Sequence, residues 1–187
     1  MIIGIKDGGN VWLAYTWSDG IRTNVSGATN GENIGVWKVN GNPHTVMGCR
    51  IPSAETEAFR YEDALFQGRL DFDKLVEETV PRMEQFAEGR GYIGDSRGRF
   101  DELMIAQKDR LYVISSEHVV LDVDSFYAIG CGDDQVKGVL LATEGEPALE
   151  RIRKAFAFLG RLEMSVASPI FVMDTKSEKL QILTQQD

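Results

Sequence analysis

The stretch Asp124-Ser125-Phe126-Tyr127-Ala128-Ile129-Gly130-Cys131-Gly132 carries an apolar, aromatic run of strand length straight into a pair of glycines. Glycine has no Cβ to restrict its backbone, so Gly130-Cys131-Gly132 ends the strand and opens a turn. Beyond it Val136, Val139, Leu140 and Thr143 fall on the spacing of a helix. The stretch therefore reads as a strand-to-helix junction, with Asp133-Asp134 placed to favour the positive end of the helix dipole.

Working outward, residues 102–107, 110–115 and 118–123 read as short strands divided by the turn signals Lys108-Asp109 and Ser116-Glu117, and 126–129 is expected to continue their sheet. Downstream, Pro147 suits the first turn of a helix, where no amide hydrogen is needed. Leu149, Ile152, Phe156 and Leu159 then mark one buried face. Residues 168–173 and 180–183 read as closing strands.

Towards the start, 2–6 and 11–16 form a hairpin around Asp7-Gly8-Gly9-Asn10. Both alternating sets of its second strand, Val11, Leu13, Tyr15 and Trp12, Ala14, are apolar, so that sheet is expected to be covered on both faces. Residues 18–33, rich in Gly, Ser, Thr and Asn, read as a loop, and a second hairpin pairs 34–39 with 45–49. Pro52-Ser53 should open a helix running to about residue 67. Val76, Val80, Met83 and Ala87 mark a second helix, which Pro81 should kink or split. Strand blocks separated by helix pairs predict an α+β architecture with helix layers over antiparallel sheets.

At 187 residues the chain fits one domain, 1–187. A net charge of -9 disfavours nucleic acid, whose phosphates are held by clustered Lys and Arg. The nearest basic cluster, Arg90, Arg97 and Arg99, reads as a solvated loop. No apolar run is long enough to span a bilayer, and no export signal opens the sequence, so a cytoplasmic protein with no membrane partner is expected. Cys49 and Cys131 lack a CxxC spacing and are expected to be small buried hydrophobes. His44 and His118 have no ligand partners at metal spacing, so neither a metal nor a cofactor is expected. Trp12, Trp17 and Trp37 read as sheet-packing residues.

Ile2-Ile3-Gly4-Ile5-Lys6, the Gly9-Asn10-Val11 turn, Thr45-Val46-Met47-Gly48-Cys49, the 126–132 run and Ser168-Pro169-Ile170-Phe171-Val172 together resemble the proteasome β-subunit family, especially the bacterial heat-shock-locus V peptidase. The resemblance covers nearly the whole chain. It implies a four-layer αββα sandwich of the N-terminal-nucleophile hydrolase fold, assembly into homo-oligomeric rings or stacked rings, and peptide or an unfolding ATPase as further partners.

The chemistry implied by that family does not carry over. There, an N-terminal threonine, serine or cysteine attacks the scissile carbonyl while its own α-amine acts as base, and a lysine lowers that amine's pKa. Here residue one is Met1, whose thioether has no proton to lose, and removing it would leave Ile2, equally inert. Aligned on Gly9-Asn10-Val11, Thr16 stands where active members carry an aspartate. The lysine should lie near Ile34 to Val36, where none is found, and Lys38 is about two residues too far along. Ser168-Pro169 replaces a supporting Gly-Asp pair.

Three functions follow as alternatives. The leading one is a proteasome-like subunit without threonine-type peptidase activity that works through assembly. The second is an active hydrolase, either of the family type after unusual processing or using a side chain such as Cys131, whose turn sets its sulfur near helix amides. The third is a binding module holding a small ligand in the degenerate pocket. A phosphate cradle at Gly130-Cys131-Gly132 is set aside because the third glycine and the Gly-Lys-Ser/Thr ending are missing.

Overall fold

Two five-stranded antiparallel sheets stack face to face between two layers of helices in the computed structural model, which describes residues 1–16, 35–50, 54–91, 101–162 and 169–184. In chain order the strands are β1 (Ile2–Asp7), β2 (Asn10–Tyr15), β3 (Val36–Lys38), β4 (Thr45–Cys49), β5 (Leu103–Gln107), β6 (Arg110–Ile114), β7 (Val120–Val123), β8 (Phe126–Ile129), β9 (Ile170–Asp174) and β10 (Gln181–Leu183). The helices are α1 (Ala54–Tyr61), α2 (Phe72–Lys74), α3 (Val80–Gly89), α4 (Asp133–Ala142) and α5 (Ala148–Arg161). One sheet has the order β10-β9-β2-β1-β8 and the other β3-β4-β5-β6-β7.

Strand alternation divides the core into three apolar layers. Ile2, Val11, Leu13 and Tyr15 point between the sheets against Val46, Met104 and Leu111, while Ile3, Ile5 and Ala14 point to the α4/α5 layer and meet Ile152 and Phe156. The doubly apolar pattern of β2 is thus matched by cover on both faces, as its sequence required. On the far side, Met47, Ile105 and Tyr112 pack against Phe59, Leu75 and Met83 of the other helix layer. Each fully buried side chain of this kind contributes about 1.5–3 kcal/mol. The arrangement is the expected αββα sandwich.

Three expectations are corrected. Residues 126–129 do not continue the sheet of β5 to β7. After Asp124-Ser125 the chain crosses to the other sheet, where β8 pairs antiparallel with β1, Ile2 opposite Ile129 and Gly4 opposite Tyr127. The crossing is pinned by the Lys6 amide donating to the Ser125 carbonyl at 2.7 Å. It sets Gly130 beside the first residue of the chain.

The second correction concerns Val76, which is 43% exposed although its spacing placed it on the buried face. Residues Leu75–Thr79 form a π-helical turn in which the Val80 amide donates to the Leu75 carbonyl. Pro81 has no amide hydrogen and its ring crowds the carbonyl four residues back, and the wider turn accommodates both defects. The extra residue rotates the register, so Leu75 and Thr79 go inward in place of Val76. The preceding helix also stops sooner than residue 67, at Tyr61, and a 3-10 turn, Asp63–Phe66, follows.

Among the described residues no helix is long and apolar enough to cross a membrane. The expected loops at 18–33 and 92–99, with Trp17, Arg97 and Arg99, lie outside the described residues, as do Pro52 and Ser53.

Candidate functional site

The β1–β2 ladder extends one rung past β1. The Met1 α-amine donates to the Thr16 carbonyl at 3.2 Å, and the Thr16 amide donates back to the Met1 carbonyl at 3.1 Å. Met1 is 7% exposed. On the β8 side the backbone of Gly130 closes over it: a Cβ there would lie 3.1 Å from Met1 Cα and 3.6 Å from the amine nitrogen. Gly130 also holds φ at 125°, a conformation that side chains disfavour. The strand-to-helix glycine read from the sequence is therefore the wall of the first residue's site.

Arg50, directly after β4, completes the surroundings, its Cγ 3.7 Å from that same Cβ position. Its guanidinium faces Asp101, Nη2 to Oδ1 at 4.0 Å. Burial, and then the positive charge of Arg50, lower the α-amine from its ordinary 8.0 to about 6, with Cys49 and Cys131 pulling weakly the other way. The amine is thus mostly neutral at pH 7 and fit to accept a proton. Sequence reasoning missed Arg50. Its only signal was its place directly after a strand ending in glycine and cysteine.

The side chains that would use such a base are not brought together. Met1 contributes a thioether buried in the α4/α5 layer. Thr16 is fully buried and meets the amine through its backbone carbonyl. Lys38 is exposed and pairs with Val46, two residues along β4 from Gly48, the residue that packs on Ile2. Ser168 lies outside the described residues.

Within the stretch Ile34 to Val36, where the resemblance leads one to expect a lysine, the space beside Gly35 is occupied. A Cβ on Gly35 would stand 2.5 Å from Cε2 and 2.8 Å from Cγ of the Tyr15 ring. Tyr15 is itself 2% exposed within the layer between the sheets. Burial raises its hydroxyl pKa well above the ordinary range. An aromatic ring therefore fills the space beside Gly35.

The two cysteines part company. Cys49 is buried as expected, and burial pushes its thiol up to about 12 against the lowering hydrogen bond from Thr56. Cys131 is exposed, which corrects its reading as a packed small residue. The turn holds it between Gly130 and the left-handed Gly132 that caps α4, so its side chain leaves the core. Among the described residues no group of three His, Cys, Asp or Glu side chains is placed to hold a metal.

Two stacked antiparallel sheets between helix pairs, with the chain's first residue at the end of a central strand, define the proteasome-like N-terminal-nucleophile hydrolase fold. Solved structures agree. The Thiobacillus denitrificans protein BPH matches with a TM-score of 0.69 at 14% identity, over 92% of this chain and 96% of that one. HslV from Trypanosoma brucei matches with a TM-score of 0.58 at 17% identity, over 92% and 97%. Anbu, an ancestral β-subunit from Yersinia bercovieri, matches with a TM-score of 0.66 at 14% identity, over 100% and 88%. No family sequence profile and no curated protein sequence matches the chain. At these identities the likeness establishes the fold.

Proposed function

We propose that this chain is a proteasome-like subunit without threonine-type peptidase activity, acting as a homo-oligomer in a ring or stacked rings. The observation that carries the reading is the Tyr15 ring in the space beside Gly35. A lost nucleophile is one substitution, whereas an aromatic side chain packed beside Gly35, in the stretch where the resemblance leads one to expect a lysine, supports a core built for a different occupant. The buried α-amine keeps the base of the family's chemistry, but Met1 gives it no hydroxyl or thiol to activate.

The test uses epoxomicin, which a Thiobacillus denitrificans BPH structure holds in complex. Once mass spectrometry has established Met1 as the first residue, incubation with excess epoxomicin is expected to leave the intact mass unchanged, with no peptide turnover. A covalent adduct together with inhibitable turnover would overturn the inactivity. Native mass spectrometry is expected to give a closed multiple of the chain mass. A strict monomer over a hundred-fold concentration range would remove the assembly half of the proposal.

The exposure of Cys131 favours a second reading, a hydrolase using that thiol with the Met1 amine as base. Alkylation separates the two. Iodoacetamide is expected to modify Cys131 and spare Cys49, whose buried thiol stays protonated. Peptide or amide turnover that disappears in step with Cys131 modification would establish the second reading.

A further inference from the structure

At the other end of β4, three turns enclose a cavity of about 510 Å3, floored by Asn42 and Gln107 and rimmed by Arg69, Lys108 and Arg110. The five residues of β4 hold this end about 13 Å from Cys49 and the Met1 site. We propose that the cavity binds a compact, multiply charged anion, a phosphate ester or a polycarboxylate, through Lys108, Arg69 and Arg110.

Charge is the first argument. The lining carries three cations against one carboxylate, Asp109, in a chain whose net charge is -9. The two arginines are loosely engaged: Arg69 Nε lies 3.4 Å from Asp71 and Arg110 Nη1 lies 3.9 Å from Asp122, with both guanidinium side chains well exposed. Lys108 makes no side-chain hydrogen bond or ion pair among the described residues.

The floor decides which groups are left to recognise a ligand. Gln107 Nε2 donates to Asn42 Oδ1 at 3.2 Å, Thr45 Oγ1 at 3.0 Å and the Gly68 carbonyl at 2.8 Å. Its Oε1 accepts from the Leu70 amide at 2.8 Å, while Asn42 Nδ2 donates to the carbonyls of Phe66 and Gly68. These neutral groups are spent on holding the turns together. What remains to meet a ligand is the Lys108 ammonium and the exposed faces of two guanidiniums, of which Arg110 also donates to the Tyr112 hydroxyl at 3.5 Å.

The backbone fixes where Lys108 stands. Lys108 sits at φ 55° and His44, on the facing turn, at φ 62°, a conformation that glycine or asparagine adopts more easily. The positive φ is the one a two-residue hairpin turn between Gln107 and Arg110 requires. The turn's backbone is tied down by the Lys108 amide donating to the His44 carbonyl at 2.9 Å, which leaves the lysine side chain at the mouth of the basic cavity with no partner among the described residues.

The test is calorimetric titration of the full chain at low ionic strength with tripolyphosphate and, separately, with citrate. Saturable binding of at least one anion is expected, weakening as salt is added. The tighter of the two identifies phosphate or carboxylate as the source chemistry. Lys108→Gly should weaken binding about ten-fold while leaving the thermal midpoint unchanged or higher, because glycine suits the left-handed position. Arg110→Gln should weaken it similarly, and Lys154→Gln, on a distant face and paired with Glu146, should not. Neither anion saturating the wild type, Lys108→Gly binding as tightly as the wild type, or Lys154→Gln weakening binding equally would each overturn the proposal.

Discussion

Gly35→Lys, which puts a lysine into the stretch 34–36 where the resemblance leads one to expect it, is expected to destabilise the protein by about 3 kcal/mol and to yield no peptidase activity, even combined with Met1→Thr. The new Cβ would stand 2.5 Å from a ring carbon of Tyr15, and the ring has nowhere to turn because it is 2% exposed among Ile2, Val36 and Val46. Tyr15→Ala alone leaves a cavity and should cost about 3–5 kcal/mol. In the double variant the lysine stem enters that cavity. The pair should therefore be more stable than the sum of its parts by more than about 1 kcal/mol, a coupling that separated, independent sites do not show. A urea-denaturation cycle over the four proteins measures it. Additive losses would mean that Tyr15 does not occupy the lysine's place, and the structural case for inactivity would fall with it.

The contrast between what sequence patterns reveal and what they hide has a physical basis at these same residues. β1 and β2 were legible because Gly8 and Gly9 punctuate two apolar runs, and the double alternation of β2 announced cover on both faces. α5 was legible because Ile152, Phe156 and Leu159 repeat at helical spacing. Local spacing carries no information on which sheet a strand joins, so 126–129 reads as a continuation of its sequence neighbours although it pairs with β1. A π turn likewise leaves only the trace of Pro81, and the one-residue shift that exposes Val76 follows from it.

At the site, the sequence reading rests on residue type alone: Met1 in place of a nucleophile, and no lysine near Ile34 to Val36. What fills the gap was not legible from it. Tyr15 reaches Gly35, and Arg50 reaches the amine, across strands that only the fold brings together. The same holds for the basic cavity: Arg69 and Lys108 are 39 residues apart in the sequence (108 minus 69) and form a patch only because Gln107, at the end of β5, bonds the backbone of Gly68 and Leu70 on either side of Arg69.

The α-amine of Met1 should make the protein about 2 kcal/mol more stable at pH 8 than at pH 6. The sign follows from where the proton is held. Folding lowers the amine from 8.0 to about 6, so between these values the unfolded chain binds the extra proton, and stability rises with pH. Below about pH 6 both states are protonated and the slope vanishes, and above pH 8 neither is. Glu102, whose pKa burial raises, acts with the opposite sign, its contribution falling as pH climbs past the ordinary carboxylate value, and the acetylated control below separates it from the amine. Asp174 and Cys49 act outside the window. Asp174, whose lowered pKa reflects hydrogen bonds from Ser177, Asn10 and the Lys176 amide outweighing its burial, loses its contribution only as pH falls below the ordinary carboxylate value. Cys49, raised from 9.0 to about 12, reduces stability only above about pH 9. Urea unfolding at pH 6, 7 and 8 and constant ionic strength, on chain whose first residue is confirmed as Met1, should show the rise, and Nα-acetylated protein should lose it. An equal slope in both would locate the titration elsewhere and contradict the buried, neutral amine. Because the shift arises chiefly from burial beside Thr16 and Gly130, and secondarily from Arg50, a neutral amine follows from tying the first residue into the ladder. It requires no selection for catalysis. The base half of the family's chemistry can therefore outlast the nucleophile half, and only turnover or adduct formation, never the amine's pKa, can distinguish an enzyme from a subunit that keeps the enzyme's first rung.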